Sequence, residues 1–372
     1  MEYTVETPSQ TKRKIKVSVG REIFDRELRK ILSEIQKNAE IKGFRKGKAP
    51  VEIIMTYYGE SARKTALENT IKITLSDILQ KEGLNPLYPP VIEEMLVDEK
   101  LNYTVKFEVL PKVDPTGYEK IKVKIKDYTV TEKDVERVIE DLRRKHGTLK
   151  PVEDRDVVKE RDVVETGSPD GKEKGVLFLV EKDDEFEGKK IGDVIHIKGK
   201  DLKILKIYEL ILPDVNDDFA KTVGEPDLST LEKKIMENLE MERKRILKTR
   251  IHNAIFAHLI KTNNFEAPES LVSEEYARLK EEFKREDPSL LKLAEERVKS
   301  ELLLYAIAEK ENIKAEEEEI REEMEKLARE TKRRTEALLA NAELKRRIEN
   351  SIIRMKTLEF LEKRCEVEYE KD

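Results

Sequence analysis

The chain has no tryptophan, one cysteine and four histidines, and only 6% of its 372 residues are aromatic. Each scarcity excludes something. Cys365 alone cannot close an internal disulfide. His146, His196, His252 and His258 lack metal-ligand spacing, and no His-Glu-x-x-His occurs, so neither a metal nor another cofactor is expected. No apolar run approaches the roughly 18 residues of a membrane span, and no basic-plus-apolar leader opens the sequence. The expectation is a cytoplasmic protein with no membrane partner.

Charge is what the chain has in abundance. Asp, Glu, Lys and Arg make up 41% of it, a surface-heavy composition that points to an elongated, multidomain and largely helical protein. The net charge is −6, yet residues 12–48 hold 13 Lys/Arg against 5 Asp/Glu, a local +8. A basic module on an acidic chain directs one end toward an anionic partner.

That module contains the most informative stretch, Gly43-Phe44-Arg45-Lys46-Gly47-Lys48-Ala49-Pro50. One large ring and three cations sit on a short loop between helical patterns. The spacing imitates a phosphate loop but fails it. Three residues, not four, separate the glycines, no Ser or Thr follows the lysine, and a helix rather than a strand precedes. A solvated basic turn is the bland alternative. The pointed one is a docking tip, in which Phe44 inserts or stacks, Arg45 pairs bidentately with phosphate or carboxylate, and Lys46 and Lys48 add point charge.

Periodicity supplies the rest. Residues 1–20 alternate as one or two strands, with Ile15, Val17 and Val19 apolar. Phe24, Leu28, Ile31, Leu32 and Ile35 recur at helical spacing. Pro50 suits a helix start, and Ile71, Leu75, Ile78 and Leu79 mark a further long helix ending near Gly83. Val91, Met95 and Val97, then Leu101, Tyr103, Val105, Phe107 and Val109, form two strands around a turn at Asp98-Glu99-Lys100. Residues 1–111 therefore read as an α+β domain.

Residues 112–149 read as a linker with an exposed strand (Ile121, Val123, Ile125) and a helix capped by Thr131 and Asp134. Residues 150–211 are turn-rich and β-rich, close to the lower size limit for an independent core. Residues 212–372 read as nearly all helix. Ser229-x-x-Glu232 forms a capping box, Pro268 and Pro288 restart helices, and Leu302, Leu303 and Ile307 mark another. Glu317/Arg321, Glu322/Lys326 and Glu325/Arg329 are spaced for i,i+4 pairs. Cys365 continues an amphipathic C-terminal helix. The acid pairs Asp183-Asp184 and Asp217-Asp218 read as solvated turns.

The octet at residues 43–50, followed by Tyr57-Tyr58-Gly59, resembles the ribosome-docking signature of the trigger factor family. Phe107-Glu108-Val109-x-Pro111 is similar to the end of that family's ribosome-binding domain. Leu212-Pro213-x3-Asp217-Asp218-Phe219-Ala220, with Gly224 beyond, is similar to the start of its C-terminal helical domain. The resemblance covers nearly the whole chain. It implies an α+β ribosome-binding domain, a small FKBP-like domain and a large all-α body with helical arms. It also implies an ATP-independent chaperone that aids protein folding and export. The implied partners are the large ribosomal subunit near the tunnel exit, through ribosomal protein and rRNA, and nascent or unfolded polypeptides. A homodimer off the ribosome is a further expectation. Carried over, Gly43, Phe44, Arg45, Lys46, Gly47 and Lys48 are the ribosome-binding residues.

The middle region departs from the family. Gly167-Ser168-x-Asp170-Gly171 and Gly188-Lys189-Lys190-x-Gly192-Asp193 are similar to two turns of the prolyl-isomerase domain. The Ile-Pro-Gly-Phe-Glu helix start that lines its pocket is absent. The only aromatics are Phe178, Phe186 and Tyr208, the candidates for a residual proline pocket. The expectation is a truncated domain with weak or no isomerase activity and no catalytic residue to name. Two other readings remain beside it: an active prolyl isomerase, and a ribosome-independent assembly chaperone for folded partners.

Overall fold

The computed structural model describes residues 1–169, 175–181, 184–197, 199–332 and 334–371. Asp170-Gly171 and Asp183, singled out above, lie outside the described residues.

The chain opens with β1 (Glu2–Glu6) and β2 (Lys12–Gly20), then α1 (Arg21–Asn38) and α2 (Val51–Glu82), then β3 (Val91–Val97) and β4 (Lys100–Glu108). The strands form one antiparallel sheet in the order β1-β2-β4-β3. Alternation in β2 and β4 puts Ile15, Val17, Val19, Leu101, Tyr103, Val105 and Phe107 on one face, where Ile71 and Ile78 of α2 cover them. The Thr74 and Tyr103 hydroxyls share a hydrogen bond of 2.7 Å in that core.

Where the sequence suggests a helix after Pro50 and then a further one, α2 is a single element of 32 residues. Its buried stripe runs through Gly59, Ala62, Ala66 and Thr70, residues too small to register as apolar periodicity. This half of α2 packs on α1 through Ile31, Leu32, Ile54, Ala62 and Ala66. A 32-residue helix spans roughly 48 Å. The sheet holds one end of α2, so the α1–α2 connection at residues 39–50 stands well away from it.

After an irregular stretch come β5 (Ile121–Asp127) and α3 (Glu132–Lys145), the latter with the expected Thr131/Asp134 capping box. Then follow β6 (Thr148–Pro151), β7 (Asp162–Gly167), β8 (Val176–Leu179), β9 (Val194–Ile197) and β10 (Lys200–Ile211). They build a five-stranded antiparallel sheet with β10 at its centre. Next are α4 (Asp217–Thr222) and α5 (Leu228–Thr262). The Ser229 capping box does not form. Instead Asp227 caps α5, its carboxylate accepting from the Thr230 N–H at 2.8 Å. Asp217 and Asp218 are more than a solvated turn: Asp217 accepts from the Leu228 N–H and Asp218 pairs with Lys221.

The remaining elements are α6 (Glu269–Phe283), α7 (Pro288–Lys310), α8 (Glu317–Thr331), α9 (Thr335–Leu339), α10 (Ala342–Lys363) and β11 (Cys365–Lys371). Leu302, Leu303 and Ile307 belong to the helix that Pro288 starts. On α8 the carboxylates pair otherwise than expected: Glu317 with Lys345, Glu323 with Lys326, and Glu325 with Arg321. Cys365 lies not in a helix but at the head of β11, which pairs with β5. The apolar side of β5 is correspondingly buried rather than exposed.

Two compact units result. One comprises Met1–Val123 with His252–Val367, the other Lys124–Ile251 with Glu368–Asp372. The first holds the N-terminal sheet and α6 to α10. The second has two cores. Val164, Val180, Phe186, Ile204 and Ile207 fill the β-rich part, and Val135 and Ile139 of α3 meet Phe219, Leu231 and Ile235 in the other. Among the described residues, no helix is long and apolar enough to cross a membrane.

Candidate functional site

The α1–α2 connection is fixed by its ends and bare in its middle. Ile41 and Ala49 are buried in the α1–α2 core, and Gln36 donates to the Ala49 carbonyl at 2.6 Å. Between these two pegs the chain makes two turns. The Phe44 N–H donates to the Ile41 carbonyl at 3.0 Å, and the Lys48 N–H to the Arg45 carbonyl at 2.9 Å. Gly43 (φ 93°) and Gly47 (φ 79°) take left-handed conformations. A Cβ at either would meet nothing within 4 Å, so the backbone alone requires glycine there.

The turns expose Phe44, whose residue surface is 41% accessible. Burying such a ring against a partner gains about 2 kcal/mol. Arg45, Lys46 and Lys48 are exposed on either side and form no ion pair among the described residues. Tyr57 and Tyr58 are exposed on the early turns of α2. An apolar ring among unneutralised cations on a backbone of fixed shape suits a partner that offers both a crevice and negative charge.

The family model described as "Bacterial trigger factor protein (TF)" matches residues 1–142, which include this tip. The model "Bacterial trigger factor protein (TF) C-terminus" matches residues 227–288 and 287–363. A trigger factor of Geotalea daltonii is 30% identical over 368 residues, covering 84% of this chain and 85% of its own length. The chain belongs to the trigger factor family. A trigger factor of Idiomarina loihiensis is 27% identical over 317 residues, 76% of this chain and 73% of its own. One solved structure is described as "Promiscuous Substrate Recognition in Folding and Assembly Activities of the Trigger Factor Chaperone". It matches with a TM-score of 0.53 at 23% identity, covering 97% of this chain and 99% of its own, a likeness of fold.

In this trigger factor family member, residues 143–226 fall in neither matched span. That stretch holds Phe178, Phe186 and Tyr208. The structure brings the first two together, with ring centroids 5.3 Å apart and planes tilted by 34°. Phe186 is 1% exposed and fills the core. Tyr208 faces the other way: it follows the core residue Ile207 on β10, and its hydroxyl donates to Glu165 at 2.7 Å. That carboxylate and burial push the Tyr208 phenol upward. The three rings therefore do not converge on one pocket. Among the described residues no group of three or more His, Cys, Asp or Glu is placed to hold a metal ion.

Two features escaped the sequence reading. The apolar side chains of β3 are exposed, although alternating strands ordinarily bury one face. Glu108 also bonds the start of α6, accepting from the Glu269 and Ser270 N–H groups. The family motif containing Glu108 marked the residue but carried no hint of that contact.

Proposed function

We propose that this chain is an ATP-independent chaperone that docks on the large ribosomal subunit near the tunnel exit and binds nascent or unfolded polypeptides. The observation that carries the reading is the tip: Phe44 exposed among Arg45, Lys46 and Lys48, three cations without an ion pair among the described residues, in a chain of the trigger factor family. The partners at the tip are ribosomal RNA phosphate and an acidic ribosomal protein surface. Work at the ribosome is work in the cytoplasm. Exposed Phe283, Leu291 and Tyr305 on α6 and α7 offer apolar contact to an unfolded client, or to a second copy of the chain off the ribosome. Replacing Phe44, Arg45 and Lys46 together with Ala removes only exposed side chains. We expect the far-UV circular dichroism and melting temperature to hold while co-sedimentation with ribosomes is lost. Undiminished co-sedimentation would sink the assignment.

Prolyl-isomerase catalysis does not, in this reading, arise from Phe178, Phe186 and Tyr208. Such catalysis needs a dry aromatic pocket that favours the twisted amide. Here one ring closes the core and another lies on the opposite face. The expected result for the intact chain is no acceleration of cis–trans exchange in a short proline peptide. Clear catalysis would mean a pocket built from other residues.

A further inference from the structure

One edge of the N-terminal sheet is bare. Among the described residues β3 pairs with β4 alone, so the hydrogen-bonding groups along its far side meet no other described strand. Helix α2 covers β4 but stops short of β3. Leu101 and Tyr103 are buried, while their cross-strand partners Val97 and Met95 are exposed. Leu96, opposite Asn102 on the other face, is exposed as well. With Val91 and Ile92, five large apolar side chains on one seven-residue strand are each between 45% and 58% accessible.

Edge strands are usually blunted by charge, proline or a bulge. Here Pro89-Pro90 and the irregularity between Ile92 and Glu94 blunt the first half only. Residues 95–97 continue in regular register to the hairpin turn at Asp98-Glu99. We propose that this edge is a docking strand for extended polypeptide segments in which apolar residues alternate with Lys or Arg, bound by strand addition. The proposal rests on the chaperone reading and names a class of client segment for it.

Charge selects that occupant. Glu93 is engaged by Lys14 and Lys106. Glu94, Asp98 and Glu99 form no ion pair among the described residues. The nearby Lys14 and Lys106 are held by Glu93 and Lys16 by Glu6, so at the hairpin end these three carboxylates face only Lys100 as a cation not bound to another carboxylate among the described residues. A basic alternating segment lays its aliphatic side chains against Met95 and Val97 on one face and its lysines along the Glu94 and Leu96 face, with Asp98 and Glu99 beyond them at the hairpin end. The same charges disfavour a second copy. Antiparallel pairing of two β3 strands about their midpoint sets Glu94 against Glu94, and like charges directly opposite destabilise a strand pair. Seven residues of strand span about 23 Å, enough for a segment of similar length.

The test is fluorescence anisotropy of a labelled nine-residue peptide alternating lysine with valine or isoleucine, titrated with the full chain. Two control peptides replace lysine by glutamate or carry N-methyl groups on alternate amides. Both controls should bind at least about tenfold more weakly, and so should the native peptide with the Met95→Lys/Leu96→Lys variant. Hydrogen exchange of the unmodified protein gives a readout independent of any variant: amides of residues 91–97 should gain protection when peptide is added. Equal binding of the N-methylated peptide, full binding by the double variant, or no gain in protection would each overturn the proposal. So would a dimer in sedimentation that the double variant dissociates, since the edge would then belong to a second copy. Aggregation suppression and ribosome co-sedimentation report on the chaperone reading separately, and both persisting without peptide binding would remove the docking strand alone.

Discussion

Arg243 on α5 holds the end of β5 by three bonds. Its Nε donates to Asp127 Oδ1 at 3.0 Å, its Nη2 to Oδ2 at 2.5 Å, and Nε also reaches the Tyr128 carbonyl. The hydrogen bond from Arg243, seconded by its charge, holds the Asp127 carboxyl below the usual carboxylate range. A carboxyl whose folded pKa is depressed contributes stability above its unfolded value, about 3.9, and loses it as pH falls through the folded one. Asp127→Asn should therefore destabilise the chain at pH 7, and the gap from the parent should shrink as the pH is taken below about 4. Urea unfolding at both pH values reads this, and an equal gap at pH 7 and pH 3 would mean that the pair's charge contributes nothing. Single residues were the least legible level of the sequence. Asp227 and Ser229 both satisfy a helix-start pattern, and only the capping contact chooses Asp227. Cys365 fits the helical stripe behind it, but Cys365, Val367 and Tyr369 also alternate with Glu366, Glu368 and Glu370. The strand period wins because Lys122 and Lys124 of β5 wait opposite those glutamates. At the tip, the sequence showed which residues crowd one loop. That Phe44 lies outside, while Ile41 and Ala49 turn in, depends on two left-handed glycines and a folded α1–α2 core.

At the scale of elements, the start of α6 depends on a residue far away in the chain. Pro268 at its N-cap has no side-chain acceptor, which leaves the first N–H groups without a local partner. Glu108, at the end of β4, supplies it. One carboxylate oxygen accepts from the Glu269 N–H at 3.0 Å and the other from the Ser270 N–H at 2.8 Å. A carboxylate there also opposes the positive end of the helix dipole. Lys12 pairs with Glu269 and the Tyr88 hydroxyl donates to Glu274, so three contacts converge on the first two turns. Glu108→Ala should lower the unfolding free energy by about 1 kcal/mol, and Glu108→Gln, which keeps one acceptor, by less. Denaturant midpoints give both values, and an alanine variant as stable as the parent would show the cap to be without weight. Strand and helix types were largely legible because their periods are local, as in β2, β4, α1 and α3. Two kinds of element-level fact were not. The unbroken length of α2 hides in Gly59, Ala62, Ala66 and Thr70, whose small size lets helices approach but carries little hydropathy. The exposure of β3 depends on where α2 ends its cover, a tertiary matter that alternation cannot express.

For the whole molecule, the distribution of charge matters more than its sum. The chain is −6 overall, so long-range attraction to a ribosome has to come from the basic module at residues 12–48. Much of that module is neutralised internally: Lys12 by Glu269, Lys14 by Glu93, Lys16 by Glu6 and Arg21 by Asp25. Arg45, Lys46 and Lys48 form no ion pair among the described residues, and neither do Lys37 and Lys42 just before them, so much of the module's unneutralised positive charge gathers near the exposed Phe44. Contact with RNA phosphate releases condensed counterions, so affinity should fall linearly with salt on logarithmic axes. Across roughly 50 to 200 mM salt, Lys46→Ala and Lys48→Ala should each flatten that slope by about one, while Phe44→Ala should weaken binding at every salt concentration and leave the slope as it was. Quantitative ribosome co-sedimentation over the salt series separates these contributions. A slope indifferent to both lysines would shift the docking energy to Phe44 and Arg45, and would favour an acidic protein crevice over RNA as the surface the tip enters.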